Sequence, residues 1–146
     1  MRRQRIATEP VPSFAERRRV IEAEPLPANI AELIATASAA GGDRLVWDFF
    51  ETGETLTYAD LKPRVDALAA GLMSIGVGKG THVAVMLPNT PSFPLTWLAL
   101  GTLGAVMVPV NNSYTEREIA YVVNDSEAEF LVVDDGCIEP VRRLLP

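Results

Sequence analysis

Apolar residues recur with two different spacings in the first half of the chain, one helical and one extended. Residues 29–39 have apolar side chains three or four positions apart, at Ile30, Leu33, Ile34 and Ala37. This spacing predicts an amphipathic helix, which the glycine pair at 41–42 ends. Residues 45–50 and 54–57 are extended in pattern and flank Thr52-Gly53, so they predict a short β-hairpin.

A longer helix is predicted to follow the hairpin directly. Thr57 and Asp60 have the spacing of a capping box, with aspartate in place of the usual glutamate. One apolar stripe then follows, formed by Leu61, Val65, Leu68, Ala69 and Leu72. Pro63 would remove an intrahelical hydrogen bond, so we expect a bend or a late start there. Gly76 and Gly78 are expected to end the helix.

The second half of the chain predicts alternating strands and helices. Three apolar runs without polar alternation, typical of strands buried on both faces, lie at residues 83–87, 105–110 and 130–133. Short loops between alternating elements predict right-handed parallel crossovers. We therefore expect an α/β fold: an incomplete doubly wound, mainly parallel sheet, preceded by an N-terminal helix and the hairpin.

Two helices are predicted between these strands. The first covers residues 91–103, with Thr90 as its cap and Pro91 at its first position. The second opens at Thr115, which forms a capping box with Glu118, and extends to about residue 124. Residues 139–145 resemble the first turns of a further crossover helix, so we expect the sheet to be cut short after its third strand.

Residues 1–28 are expected to form a poorly ordered extension before a folded part at residues 29–146. The extension contains four prolines, and only residues 14–24 have a helical pattern. No apolar core follows its arginines, so it is not a secretory signal, and its glutamates argue against a mitochondrial presequence. A solvated tail is the favoured interpretation.

Charge and cysteine content exclude several classes of function. The net charge is −6, and residues 1–19, with six arginines and two glutamates, account for +4, which leaves −10 for the rest. A general nucleic-acid role is therefore not expected. A single cysteine, Cys137, excludes an internal disulfide and, with only one histidine, argues against structural zinc. A reducing, cytoplasmic location fits best.

A membrane span is not expected, although residues 81–115 have no formal charge. The apolar stretch at 93–110 has 18 residues and is interrupted by two prolines and two glycines. A spanning helix needs about 20 apolar residues. A buried helix followed by a buried strand explains this stretch better.

The glycine-rich segment at residues 76–81 could suggest a phosphate-binding loop. Such loops connect a strand to the N-terminus of a helix, whereas here a helix comes first and a strand follows. Gly78-Lys79 is followed by Gly80 rather than serine or threonine, so the Walker pattern fails. We interpret the segment as a helix C-cap and turn.

Polar residues after the first and third strands are the candidates for ligand contact. Asp134-Asp135 could bind magnesium at the carboxyl edge of the sheet, but a polar loop and helix cap is the favoured interpretation. Asn89 could bind a ligand or satisfy its turn, and the turn is favoured.

The remaining reactive or aromatic residues have structural interpretations. His82 has no visible partner for acid–base chemistry and is interpreted as a surface-edge histidine. Cys137 has no visible activating base. Tyr58, Trp97 and Tyr114 are interpreted as packing residues rather than a stacking platform.

Two segments together resemble the adenylate-forming (AMP-binding) ligases. Leu56-Thr-Tyr-Ala-Asp-Leu61 resembles their first core motif, usually Leu-Thr-Tyr-x-Glu-Leu, and Leu100-Gly-Thr-Leu-Gly-Ala-Val-Met-Val-Pro-Val-Asn111 resembles their second. Residues 65–80, 83–89 and 111–119 look like the acyl-CoA synthetase branch. The resemblance covers about residues 29–135.

The resemblance implies ATP-dependent activation of a carboxylic acid. Such enzymes form an acyl-adenylate, release pyrophosphate and pass the acyl group to a thiol, usually coenzyme A. Fixed positive charge and magnesium stabilise the phosphoryl transfer. The complete enzyme would therefore use ATP, magnesium and coenzyme A.

The chain departs from the family in lacking its catalytic motifs. The phosphate loop ending in Pro-Lys-Gly, the adenine- and ribose-binding motifs and the catalytic lysine would all lie beyond Pro146. No catalytic, cofactor-binding or metal-binding residue is therefore assigned, and no cofactor is expected for this chain alone. We expect an inactive first portion of the large domain, partnered by the remainder as a separate chain or self-associating through an exposed sheet edge.

Two other functions remain open at this point. One is a noncatalytic binding or interaction module that keeps the start of the fold. The other is an independent small flavodoxin-like domain. A neighbouring reading frame that encodes the missing motifs would favour a split or interrupted ligase over both.

Overall fold

A computed structural model of the chain describes residues 11–144. Six helices and five strands form in chain order: α1 Phe14–Ala23, α2 Ile30–Gly41, β1 Leu45–Phe49, β2 Glu54–Thr57, α3 Tyr58–Ser74, β3 His82–Met86, α4 Ser92–Leu103, β4 Val106–Pro109, α5 Glu116–Asp125, β5 Phe130–Val133 and α6 Ile138–Arg142. A 3₁₀ turn, Asp135–Cys137, links β5 to α6.

The sheet has the predicted α/β architecture. β3 lies between β4 and β5, and both pairings are parallel. β1 and β2 form a separate antiparallel hairpin, as the pattern around Thr52-Gly53 predicts. Helices alternate with the parallel strands, which confirms the expected α/β class and the N-terminal helix and hairpin.

Two hydrophobic clusters lie on opposite faces of the sheet. Side chains alternate along β3, so Val83 and Val85 join the first cluster and Ala84 and Met86 join the second. Helices α2, α3 and α4 supply the first cluster, whereas α5 and α6 supply the second. The central strand is therefore buried on both sides.

The expectation that all three strands are buried on both faces is wrong for β4 and β5. Every residue of β5 is only half-buried, and Val106 of β4 is 43% exposed. Val108, in the middle of β4, is half-buried. These strands are the outer members of a three-stranded sheet, so each has one neighbour instead of two.

Of the bend or late start expected at Pro63, the late start is also wrong. Thr57 is the N-cap, and its hydroxyl donates to the Asp60 carboxylate at 2.6 Å while also accepting from the Asp60 N–H. Pro63 lies inside the continuous helix. Both Pro63 and Ala59 are exposed, so the Ala59 carbonyl that lacks an intrahelical donor can be hydrated.

The C-terminus of α3 is a Schellman motif. The Val77 N–H donates to the Leu72 carbonyl at 3.1 Å, and the Gly76 N–H donates to the Met73 carbonyl at 3.0 Å. Gly76 has a φ of 103°, a left-handed conformation that favours glycine. Val77 and Leu72 are both buried, so the motif directs the chain back into the core.

The start of α4 differs by one residue from the prediction. Pro91 is the N-cap rather than the first helical residue, and no side chain caps the helix. The Thr90 backbone carbonyl, not its hydroxyl, accepts from the Phe93 N–H at 3.1 Å. The capping box of α5 is confirmed, because the Glu118 carboxylate accepts from the Thr115 N–H and hydroxyl at 2.8 and 2.7 Å.

Helix α1 confirms the helical pattern within the N-terminal extension. A capping box joins Ser13 to Glu16, and none of the helix's residues is buried. Residues 1–10 of the extension lie outside the described residues. The boundary near residue 29 and the poor order of the extension remain predictions.

The uncharged stretch folds as the sequence predicts. It forms α4 followed by β4, and the α4 residues Leu95, Ala99 and Leu100 are buried in the first cluster. Across residues 11–144, no helix has the length and apolar character needed to cross a bilayer.

Candidate functional site

The carboxyl edge of the parallel sheet is the candidate site, because ligands bind there in open α/β folds. Three loops converge at this edge, following β3, β4 and β5 at residues 87–91, 110–115 and 134–137. An open groove of about 560 Å³ is bordered by residues 109–114, together with Leu87 and Phe93. The groove is wide and shallow rather than an enclosed pocket.

Polar side chains in two of these loops are engaged in shaping the loops themselves. The Asn111 side-chain oxygen accepts from the Ser113 N–H at 2.9 Å. The Asp134 carboxylate accepts from the Gly136 N–H at 2.9 Å and caps the 3₁₀ turn that begins at Asp135. The loop-and-cap interpretation of Asp134 is therefore confirmed.

Asn89 lies in the third loop and is exposed. The turn is closed by backbone groups, since the Thr90 N–H donates to the Pro88 carbonyl at 2.8 Å. Within the described residues, the Asn89 side chain forms no hydrogen bond. Its predicted role in satisfying the turn is therefore wrong, because the backbone already supplies that bond.

Residues 76–81 form the predicted helix cap and turn. The Gly78 N–H donates to the Thr81 hydroxyl at 3.1 Å, and the Gly80 N–H donates to the Gly104 carbonyl at 2.9 Å. The first bond lies within the turn, and the second ties the turn to the end of α4. The segment also precedes β3 and so lies at the opposite, amino end of the sheet from the candidate site.

The interpretation of His82 as a surface-edge residue is wrong. His82 begins the central strand, is half-buried, and its Nδ1 lies 2.5 Å from the Ser126 carbonyl oxygen. A carbonyl only accepts, so Nδ1 is the protonated nitrogen that donates. His82 therefore joins β3 to the loop after α5.

The Cys137 side chain is also partly buried. Cys137 packs against the second hydrophobic cluster and is a free cysteine. Among the side-chain hydrogen bonds of the described residues, none involves the Cys137 thiol. The environment is that of a small apolar packing residue.

Tyr58 and Tyr114 are packing residues, as predicted. Tyr58 lies against Gly41, where an added Cβ would come within 2.2 Å of the Tyr58 ring, and the Arg44 guanidinium stacks 5.6 Å from the ring centroid. Tyr114 packs against the second cluster. Gly41 therefore allows α2 to approach the start of α3.

The packing interpretation of Trp97 is wrong, because its side chain is 59% exposed. Trp97 and Phe93 lie one turn apart on α4 and border a groove of about 500 Å³ between α4 and the hairpin. Trp47 and Phe50 border the same groove from the hairpin, and Phe50 is 85% exposed. The signal in the sequence that could have indicated this aromatic groove is the spacing of Phe93 and Trp97, two aromatic residues four positions apart on a helix.

Several charged side chains are engaged in local structure. Hydrogen bonds from the Thr57 hydroxyl and N–H lower the pKa of Asp60, and those from the Thr115 N–H and hydroxyl lower the pKa of Glu118. Arg142 and Arg143 pair with Glu139 and Glu116 at 3.4 and 3.9 Å. Residues 11–144 contain no cluster of three or more side chains suited to hold a metal ion.

The candidate site therefore offers backbone and amide groups rather than convergent charge. A triphosphate needs several cationic or N–H donors aimed at one place. Arg142 and Arg143, which follow the 3₁₀ turn after β5, are paired with carboxylates, and the Asp134 carboxylate caps its own turn. The described edge can border a ligand but has no assembled acid–base or phosphate-binding constellation.

Known proteins similar to this chain are ligases that use coenzyme A. The chain is 37% identical to 4-coumarate–CoA ligase 4 of Arabidopsis thaliana over 93 residues, which are 64% of this chain and 16% of that protein. It is 32% identical to the acyl-CoA ligase sidI of Aspergillus fumigatus over 103 residues, 70% of this chain and 18% of that protein. The chain thus spans less than a fifth of either relative.

Solved structures show the same fold. The N-terminal domain of FACL13 from Mycobacterium tuberculosis matches 79% of this chain with a TM-score of 0.75 at 23% identity, over 29% of that chain. The N-terminal subdomain of NpsA from Klebsiella oxytoca matches 73% of this chain with a TM-score of 0.66 at 33% identity, over 28% of that chain.

The family match covers most of the chain. Residues 34–145 match the family described as AMP-binding enzyme. This range includes the hairpin, all three parallel strands and both sequence motifs that resemble adenylate-forming ligases. The chain therefore belongs to the AMP-binding enzyme family.

Proposed function

We propose that this chain is the N-terminal portion of an ATP-dependent acyl-CoA ligase. The observation that supports this most is the family match over residues 34–145, which coincides with the strand–helix alternation of the fold. The relatives that match this region are CoA ligases, and they are several times longer than the matched part. The chain supplies the first strands of the large domain.

The two family motifs serve the framework of this portion rather than its chemistry. Thr57 and Asp60 cap α3, and Leu56 beside them is completely buried. The second motif forms the end of α4 and then β4, and Val110, directly after β4, is buried in the second cluster. The framework places three strand ends at one edge, where the rest of a ligase would complete the site.

The complete enzyme would use ATP, magnesium and coenzyme A. The carboxylate oxygen of the substrate attacks the α-phosphorus of ATP, which forms an acyl-adenylate and releases pyrophosphate. The thiolate of coenzyme A then attacks the acyl carbonyl, forms the thioester and releases AMP. Magnesium would neutralise the developing phosphate charge.

The chain alone is proposed to be inactive, with no bound cofactor of its own. The Asp134 carboxylate caps its own turn, and Arg142 and Arg143 pair with Glu139 and Glu116. The proposed partner is the remainder of the ligase, present in the same cell as a separate chain. A cytoplasmic location follows from the use of ATP and coenzyme A and from the single free cysteine.

The proposal is tested by acid-dependent exchange of labelled pyrophosphate into ATP. Three samples are compared: the chain alone, the remainder of a related CoA ligase alone, and a mixture of the two. The remainder begins after the region of that ligase that matches residue 145 of this chain. We expect exchange only in the mixture. A variant with Val85→Asp serves as control, since a chain that cannot form the central strand should not complement.

Two results would contradict the proposal. Exchange above background by the chain alone would show that it holds an active site. A mixture that stays at background, with every remainder tried and with the chain folded, would favour the noncatalytic interaction module. The exposed aromatic groove of Trp97 and Phe50 is the observation that supports this second candidate.

A further inference from the structure

The aromatic groove between α4 and the hairpin is open to solvent. Trp97 and Phe93 border it from α4, and Trp47 and Phe50 border it from the hairpin, around a volume of about 500 Å³. Phe50 is 85% exposed and Trp97 is 59% exposed. Exposed aromatic surface of this kind is typical of a contact site for another group.

The charge at the border of the groove is negative. Asp48 and Glu51 border it and are exposed, and none of its described lining residues is lysine or arginine. No ion pair within residues 11–144 engages either carboxylate. Aromatic faces attract cations, and a nearby carboxylate adds Coulomb attraction. The groove therefore suits a cationic group, and arginine above all, because its planar guanidinium stacks on rings.

The N-terminal segment of the same chain supplies such cations. Residues 1–10, which precede the described residues, contain Arg2, Arg3 and Arg5 against one carboxylate, Glu9. The net charge of −6 includes +4 from residues 1–19, so the rest of the chain carries −10. The basic segment and the folded part therefore attract each other.

The N-terminal extension leaves the folded part beside the groove. Ile30, the first residue of α2, packs on Gly101 of α4, where an added Cβ would lie 3.2 Å from the Ile30 side chain. Gly101 is one helical turn from Trp97 on α4. The residues from Arg5 to Ser13 can extend to about 30 Å, twice the roughly 15 Å that α1 spans. The arginines can therefore return past α1 to the groove.

We propose that residues 1–5 bind in cis to the aromatic groove. Their guanidinium groups stack on the exposed faces of Trp97 and Phe50 and pair with the carboxylates of Asp48 and Glu51. A guanidinium covers only part of an indole ring, so Trp97 remains the more exposed of the two tryptophans. This inference does not depend on the proposed ligase function.

The tether favours this segment over a cation from another molecule. A segment joined by a flexible linker has an effective concentration on the order of a millimolar at a site within its reach. Each exposed contact between an arginine and a ring or a carboxylate is weak by itself, at about 0.5–1 kcal/mol. Several such contacts from one tethered segment are therefore sufficient, and the contact is expected to weaken as salt concentration rises.

The test is NMR spectroscopy of the full 146-residue chain with a nitroxide spin label at residue 4. Cys137→Ala removes the native thiol, and Gln4→Cys provides the attachment site. The label should broaden the Trp97 indole N–H signal and the Phe50 amide signal, and leave the amide of Tyr121 on α5 unaffected. A chain with the same label in its reduced, diamagnetic form is the reference.

Replacing the three arginines of residues 1–5 by glutamine should abolish this broadening. A matched pair of double variants then tests the groove. Asp48→Asn with Glu51→Gln should reduce the broadening, whereas Glu127→Gln with Glu129→Gln removes the same charge beside β5 and should leave it in place. All four of these carboxylates are exposed, so the substitutions should not unfold the chain, and unchanged chemical shifts elsewhere verify this.

Four results would overturn the proposal. Two of them are a lack of broadening at Trp97 and equal effects of the two double variants. A third is broadening in a mixture of spin-labelled chain and ¹⁵N-labelled chain without spin label, which would assign the contact to a second copy. The fourth is loss of the broadening when the remainder of a related CoA ligase is added, which would show that further chain covers the groove.

Discussion

The two faces of the central sheet are covered to different depths. On the first face, beneath α2, α3 and α4, the cluster has 13 buried residues, whereas the cluster on the second face, beneath α5 and α6, has five. The first face therefore has a core of its own within this chain. The second face depends on two short elements, so it is where stability should be lowest and where added chain would contribute most.

The largest difference in the free energy of unfolding should appear when a charge is introduced into the central strand β3 and into the outer strand β4. Val85 is fully buried in β3, while Val108 in β4 is half-buried. Val85→Asp places an unpaired charge in a dry core and should cost several kcal/mol, about 3–5, enough to unfold the chain. Val108→Asp should cost less than half as much. Urea denaturation followed by circular dichroism measures both, and equal costs would contradict the difference in burial.

Matched truncations compare the depth of the two faces directly. Leu100 and Ile119 are both completely buried, the first under the three-helix face and the second under the two-helix face. Leu100→Ala should cost about 3–5 kcal/mol and Ile119→Ala about 2–3 kcal/mol, because a thin layer collapses more easily into a cavity. A larger loss of unfolding free energy for Ile119→Ala would reverse the comparison.

The capping boxes give a smaller effect that depends on pH. Thr57→Ala removes the cap of α3 and should cost about 1 kcal/mol near neutral pH. The pKa of Asp60 lies below its ordinary value of 3.8 and that of Glu118 below its ordinary value of 4.5, both because of hydrogen bonds. Lowered carboxyl pKa values stabilise the fold above the unfolded-state pKa, and the contribution is lost as pH falls through the folded-state value.

The stability of the parent chain should therefore decline as pH falls below about 4.5, and the Thr57→Ala and Thr115→Ala variants should decline less. Melting curves between pH 7 and pH 3 measure this difference. If the melting temperatures of the parent and both variants fell equally with pH, the capping boxes would not contribute to the pH dependence of stability.

The smallest predicted effect concerns the aromatic groove. Trp97 is 59% exposed, whereas Trp47 is half-buried. Acrylamide should quench the fluorescence of Trp97 more strongly, so Trp97→Phe should leave a less quenchable protein than Trp47→Phe. Stronger quenching of Trp47 than of Trp97 would contradict the exposure of Trp97 in the aromatic groove.

Local features of this fold could be predicted from the sequence because they depend on neighbouring residues. Thr57/Asp60 and Thr115/Glu118 cap their helices through contacts three positions apart, and Gly76 ends α3 through its own backbone angle. The strands at β3, β4 and β5 follow from apolar runs. Family motifs supplied the functional class, which no single side chain at the carboxyl edge would have indicated.

Features that depend on distant neighbours could not be predicted in the same way. Strand order decides that β3 is central, so it also decides that His82 begins a central strand and that Val106 is exposed. Trp97 lies in an apolar run that predicts burial, yet nothing within the described residues covers it. Pro63 was expected to bend α3 or delay its start, but the helix begins at Tyr58, and the exposed position lets water replace the lost bond.

Hydrogen exchange resolved by residue tests the central comparison most directly. Amides of β3 and α3 should exchange only through global unfolding, while those of α5 and α6 should exchange through local openings of much lower free energy. This pattern would show one finished and one thinly covered face. Protection that reaches the global unfolding free energy in α5 and α6 as well as in α3 would contradict the account.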